Sequence, residues 1–385
     1  MNTNNAKTKE MANRRRSSGN PYVYVSYVYD YVAGYIAVID PARDEIIRTV
    51  IAGFDPGPMC TDVEEKKLYV LSSQGRSVTV FDTDTFDILA SYHIGDTNDS
   101  YPVAILASPL GGKLYVANSG EKTVVIIDTS THGITKEVDV GPGKPFAFAS
   151  NKNSNFVYAA CKVADGEDYV VAISLEKDIA YPYGKEMGLT FYEGLNPLAV
   201  HPDGHTQVTM GTPGMLVHTD DKIGKPVMTS LLDNTVSGVY LDNKKLFCTT
   251  DEGKSIIKEI TDLAVDEEGN VTYNYYLDID SYKGQDKIRY SRNQKYVGIT
   301  IQPTTTPVAG VQFYTSTGTN FPIVRLPSVG DLAFSSDTKA YVGLFKTVRP
   351  IDLATVRPLP AIPMSPISTD NIQIRNVISG YSNQS

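Results

Sequence analysis

The chain has 385 residues, 41% hydrophobic and 21% charged, which is enough apolar content for a sizeable core and too little charge for a disordered polyelectrolyte. A net charge of −9 speaks against a general nucleic-acid binder, which needs a basic face to displace counterions from phosphate. The 25 Tyr and 12 Phe, with no Trp, suit pleated, half-buried strands.

Residues 1–20 are polar and are expected to form a disordered tail. Arg14, Arg15 and Arg16 precede an apolar-looking run from Tyr22 to Ile39, the outline of a signal peptide or membrane anchor. Asp30 and the many tyrosines make it a poor hydrocarbon-spanning segment, and it lacks a good cleavage signal. It aligns instead with later repeats as two ordinary strands. The expectation is a soluble, cytoplasmic chain with no membrane span.

From there the chain repeats itself. "KKLYV" ends at Val70, "GKLYVAN" spans Gly112 to Asn118, and "NFVYAA" spans Asn155 to Ala160. "KKLFCTT" ends at Thr250, "QKYVGIT" at Thr300 and "KAYVGLF" at Phe345, with weaker copies at Tyr22–Tyr27 and Thr206–Gly211. That makes eight copies at intervals of roughly 40 to 50 residues, the mark of a repeat architecture. A second motif follows in register: Asp40, Asp82 and Asp128 each stand thirteen positions before Gly53, Gly95 and Gly141. Each unit reads as four short strands. One follows a Pro, as in Pro102–Ala107, and a Ser-Pro-x-Gly turn (Ser108–Gly111; "HPDG" at His201–Gly204) leads to the Tyr-Val strand. An alternating strand ending in Ile-Asp and an outer strand complete the unit. Gly- and Asx-rich links between alternating apolar runs are hairpin chemistry. The expected fold is an all-β closed propeller of four-stranded antiparallel blades, eight blades favoured over seven, forming one domain over residues 21–380. The first blade lacks an innermost strand of its own. Asn371–Ser379, which alternates, is expected to supply it and so remove the exposed edges of an open ring.

These motifs resemble the YVTN-type repeat family of propellers, whose signature element stands here as Tyr115-Val116-Ala117-Asn118. The resemblance is close from Tyr22 to about Ala160, fades from Asp165 to Asp286, and returns around Tyr296 and Tyr341. It implies a binding or scaffold module without enzymatic activity, recognising a ligand or protein partner at the channel mouth. It also implies an alternative: a lactone hydrolase or lyase with scattered polar residues, and in some cases a divalent metal, at that mouth. Against the cytoplasmic expectation, the resembled family is often exported. No other cofactor is implied.

In a propeller the first strands line a central channel, and the links from outer to next inner strand and from second to third strand crowd one face. A site is expected there, because variable loops on a regular scaffold are where specificity is built. The candidate binding residues are Asp55, Arg76, Asp96, Tyr101, Lys144, Tyr192, Glu193 and Asp251. Their acid excess favours a cationic partner over an anionic one. No metal ligand set is expected. Asp96, Asn98 and Asp99 lack the spacing of a calcium loop, and "DTDTFD" at Asp82–Asp87 matches a plain turn in the next blade. His201 and His205 flank a turn on the opposite face, His132 sits in a turn and His93 on an outer strand, with no nucleophile–base pattern among them. Cys60, Cys161 and Cys248 are expected to be reduced, buried and on different blades. Nucleotide-binding loops are absent. Of the tyrosines between Tyr22 and Tyr35, some are expected to pack between blades and others to reach the surface as a patch, packing being favoured over a binding surface.

Overall fold

The computed structural model describes residues 21–381, apart from 32, 132, 184–187, 193–195, 203, 205, 213, 219–226, 233–234, 243–244, 251–253, 260, 266–270, 275–277, 304–307 and 366–370. It describes only the backbone at 183, 206, 215–218, 227–232, 254–259, 261–265, 271–274 and 278–280. Glu193, Asp251, His132, His205 and the polar tail at 1–20 therefore lie outside the described residues. Among those that are described there is no helix, and so none long and apolar enough to cross a membrane.

Among the described residues, eight antiparallel sheets of four or five strands follow one another along the chain, and a two-stranded hairpin (Thr261–Val265 with Val271–Asn274) is inserted in the sixth. Their innermost strands are Ile372–Ser379, Pro56–Thr61, Pro102–Ala107, Lys144–Ala149, Leu198–Val200, Thr235–Tyr240, Gln285–Tyr290 and Leu332–Phe334. These strands neighbour one another in that order, and Ile372–Ser379 lies between Leu332–Phe334 and Pro56–Thr61. In the first sheet Ile372–Ser379 pairs with Val23–Tyr29 from Val23 opposite Ser379 to Tyr29 opposite Ile372, with a bulge at Ser26/Tyr27. The last strand of the sequence thus completes the sheet that the first strand begins.

The core lies between the sheets. Successive side chains of a strand point to opposite faces, so Leu68 and Val70 pack on Tyr24, Ile36 and Val38 of the first sheet. Tyr69 and Leu71 pack on Ile105, Leu114 and Val116 of the third. Tyr22, Tyr24 and Tyr27 are buried, Tyr27 stacks on Tyr35 at 5.5 Å, and Tyr31 is exposed. Cys60, Cys161 and Cys248 are buried, not disulfide-bonded, and on three different sheets.

The repeated residues have identifiable work. Asp40 Oδ1 accepts the N–H of Ala42, Asp82 Oδ1 those of Asp84 and Thr85, and Asp128 Oδ1 those of Ser130 and Thr131. These are Asx turns. At Asp128 the hydrogen bonds, the Ser130 hydroxyl first, bring the carboxyl down to about 2. The glycines at the other end of the motif, Gly53, Gly95 and Gly141, have φ of 86°, 74° and 95°, the left-handed region that favours glycine. In three sheets the Lys-x-Tyr of the second strand ties the sheet to its neighbour. Lys67 Nζ donates to Thr129 O at 2.7 Å, and Lys113 Nζ to Leu175 O and Asp178 Oδ1, both at 2.7 Å. Lys339 Nζ donates to Pro41 O and Asp44, and the Tyr341 hydroxyl donates to Asp44 Oδ1 at 2.5 Å. In each case the acceptor is the turn between third and fourth strands of the neighbouring sheet.

Candidate functional site

The strand directions divide the expected site residues from the repetitive turns. Links from outer to inner strand and from second to third strand share one face, here the link face. The turns Ser108–Gly112 and His201–Gly204 lie on the other, the turn face.

The links into the second and third sheets are held by the ends of those sheets' own second strands. The Ser72 hydroxyl donates to Phe54 O. In the third sheet Asn118, the Asn of the Tyr-Val-Ala-Asn element, accepts the N–H of Tyr101 at 2.9 Å and donates to Ser100 Oγ and Glu121. Arg76 Nη1 donates to Thr97 O at 2.7 Å, and Glu121 Oε1 accepts the N–H and the hydroxyl of Thr97. Arg76 thus fixes the link between second and third sheets, and Tyr101 is left 51% exposed. Asp96 and Asp99 beside it are exposed. Desolvation, then Glu121 and Asp96, push the Glu137 carboxyl up. Against desolvation, the hydrogen bonds from Thr97 and Asn118 hold Glu121 below its usual range. This corner is therefore electronegative.

Asp55 is paired with Arg375 at 3.0 Å, and Lys144 is exposed at the start of its strand. Tyr192 is exposed beside Phe191, whose N–H donates to buried Asp168 at 2.7 Å and whose carbonyl accepts Lys162 Nζ at 2.6 Å. The structure thus places Asp55, Arg76, Asp96, Tyr101, Lys144 and Tyr192 on one face. Of these it brings together only Arg76, Asp96 and Tyr101, with Arg76 bracing the link that carries the other two. Three exposed aromatics on this face are absent from the sequence-derived set: Tyr31, Phe54 and Phe345. Phe54 and Phe345 gave no signal by type, because exposure of a Phe in a link is decided by packing; Tyr31 belongs to the tyrosine run of which some members were expected at the surface.

A second polar group lies among the innermost strands. Asp331, just before Leu332–Phe334, is 1% exposed. It accepts the N–H of Leu332 and Val377 and the amide of Asn376, and Arg289 and Lys287 stand at 3.5 and 3.6 Å. Burial opposes its charged form, but Lys287 and Arg289, aided by the two N–H groups, hold the carboxyl below the usual range. Arg289 Nη1 also donates to Asn196 Oδ1 at 2.8 Å, and Asn376 Oδ1 accepts the N–H of Met59 at 3.1 Å. The network joins innermost strands of the first, second, seventh and eighth sheets and the start of the fifth. Sequence reading passed it over, although "QDKIRY" carries charge where "PVAILA" in the third sheet is apolar.

His201 is buried and meets the Tyr240 ring edge-on at 5.1 Å; His93 is exposed on an outer strand. Among the described residues no three His, Cys, Asp or Glu side chains are grouped to hold a metal ion.

No protein-family model matches the sequence, and no curated protein matches it. Solved structures do. Dihydro-heme d1 dehydrogenase NirN, in complex with DHE, superposes with a TM-score of 0.70 at 14% identity, over 93% of this chain and 74% of that one. Apo AztD from Citrobacter koseri gives 0.64 at 13% identity, over 94% and 99%. The Cps50 (Swd1) β-propeller domain from Myceliophteria thermophila gives 0.56 at 12% identity, over 81% and 97%. At such identities the likeness shows the fold alone, and that fold is a β-propeller.

Proposed function

We propose that the chain is a non-enzymatic binding module, a closed eight-bladed propeller of YVTN type whose link face docks a protein partner. Eight sheets with neighbouring innermost strands support the ring. The observation that carries the binding reading is where the exposed aromatics fall. Among the described residues all five, Tyr31, Phe54, Tyr101, Tyr192 and Phe345, sit on the link face. Large rings held in water by anchored links are poor for stability and good for recognition, since Tyr and other aromatics are enriched at interface hot spots. The electronegative corner around Asp96, Glu121 and Glu137 favours a partner with a basic surface there.

The test is capture of a partner from the source organism by the wild-type chain, compared with two variants. Tyr101→Ser/Tyr192→Ser should lose it, and hot-spot truncations costing about 2 kcal/mol or more each predict a large loss. Leu110→Ser, on the turn face and 63% exposed, should keep it. A partner lost with Leu110→Ser and kept with the tyrosine variant would place recognition on the wrong face.

A further inference from the structure

The channel contains a cavity of about 330 Å³, within the size range of small-molecule sites. It belongs to the turn face. Its rim is formed by Val63, Glu65 and Arg292, from turns between first and second strands, and by Pro21 and Tyr381 where the first sheet begins and ends. Its walls are apolar, built from Met59, Leu332, Phe334, Val377 and Ile378, with Tyr290 and Cys60 beside them.

Three charged side chains line it. Arg292 and Glu65 pair with each other at 3.2 Å at the rim. That leaves Arg289 as the charge set among the apolar walls, with its side chain 23% exposed. Its Nη1 is committed to Asn196 Oδ1 and Ile288 O, at 2.8 and 3.1 Å. Its Nη2 lies 3.5 Å from Asp331, near enough for charge attraction but longer than a good hydrogen bond. Asp331 and Asn196, both more than nine-tenths buried, therefore hold the guanidinium in place from behind without capping all its donors. A guanidinium carries five N–H donors in a fixed fork that matches a carboxylate.

We propose that this cavity binds a small organic anion, a carboxylate on an apolar or aromatic body. The acid group would meet Arg289 and the body would lie against Met59, Leu332, Phe334 and Ile378. Entry would be from the turn face, independent of the partner surface on the link face. Tyr381 lies along the way in. Its hydroxyl donates to Ala107 O at 3.2 Å and its N–H to Glu65 Oε1 at 3.3 Å, so Tyr381 forms one side of the entrance.

The test uses calorimetric titration of the full-length chain with 2-naphthoate and with its neutral isostere 2-naphthamide. Naphthoate should bind one to one, and the amide about tenfold or more weakly, the loss expected when a charged hydrogen-bonding partner is replaced. Arg289→Met should abolish the preference for the acid. Because that variant also disturbs Asn196 and Asp331, the wild-type chain provides a second readout. Cys60 lines the cavity, whereas Cys161 and Cys248 do not. Naphthoate should slow alkylation of Cys60 by N-ethylmaleimide, with a concentration dependence matching its Kd. Failure of naphthoate to bind, equal binding of acid and amide, or Cys60 alkylation unaffected at saturation would each overturn the proposal.

Discussion

Deleting the chain from Ser368 onward removes the innermost strand of the first sheet, and its cost can be worked from the contacts. Ile372 and Val377 are each 1% exposed, and burial of such side chains contributes about 1.5–3 kcal/mol apiece. The ladder from Val23/Ser379 to Tyr29/Ile372 supplies several backbone hydrogen bonds, each worth about 0.5–1.5 kcal/mol net. Asn376, which bridges Asp331 and the N–H of Met59, goes as well and leaves a buried carboxylate short of a donor. Together these approach or exceed about 10 kcal/mol, against a typical net stability of about 5–15 kcal/mol. The deletion also bares the edge of Val23–Tyr29, a template for aggregation. The truncated chain should give no cooperative thermal transition near that of the full chain and should elute as aggregate on size exclusion. A peptide spanning Asn371–Tyr381 added in trans should restore part of the transition. A monomeric truncation that melts at the wild-type temperature would refute the reasoning.

Asp331→Asn should cost about 3 kcal/mol in urea unfolding at neutral pH, because Lys287 and Arg289 lose their shared counter-charge, the penalty for breaking a buried pair. The folded-state pKa of Asp331 is lowered from 3.8, so its contribution is present above that value and is lost as pH falls through the folded pKa. The gap between wild type and variant should therefore close in acid and stay constant from about pH 5 to 8. Asp44→Ala should cost about 2 kcal/mol, since the Tyr341 hydroxyl and Lys339 lose an acceptor. Lys339→Met/Asp44→Ala should be less than additive in the same unfolding assay.

The fold was legible because repetition exposes it. Asp40, Asp82 and Asp128 show in sequence as a spacing to glycine, and the structure gives the two ends their reasons, an Asx turn and a left-handed residue. The Lys-x-Tyr-Val strand was equally visible, but its task was not: Lys339 and Asp44 meet across 295 residues of sequence, and no local pattern encodes that. The site was legible in part. Link charges such as Asp96 and Arg76 can be read from type and position, yet Arg76 proves to be a brace for Thr97 and Asp55 a partner of Arg375. Phe54 and Phe345 were missed because an aromatic in a link is read as core unless its burial is known, whereas Tyr31 belongs to the tyrosine run in which some members were expected at the surface. The network among the innermost strands was missed because Asp331, Arg289 and Asn376 converge only when distant sheets are brought side by side.

The most direct measurement of the central claim is hydrogen–deuterium exchange of the chain alone and with its captured partner bound. Protection should rise in the links at Gly53–Pro56, Asp96–Tyr101 and Leu344–Lys346, while the turns at Ser108–Gly112 and Ser291–Lys295 stay unchanged. Protection confined to those turns, with the links exchanging freely in the complex, would contradict the assignment of the link face as the docking surface.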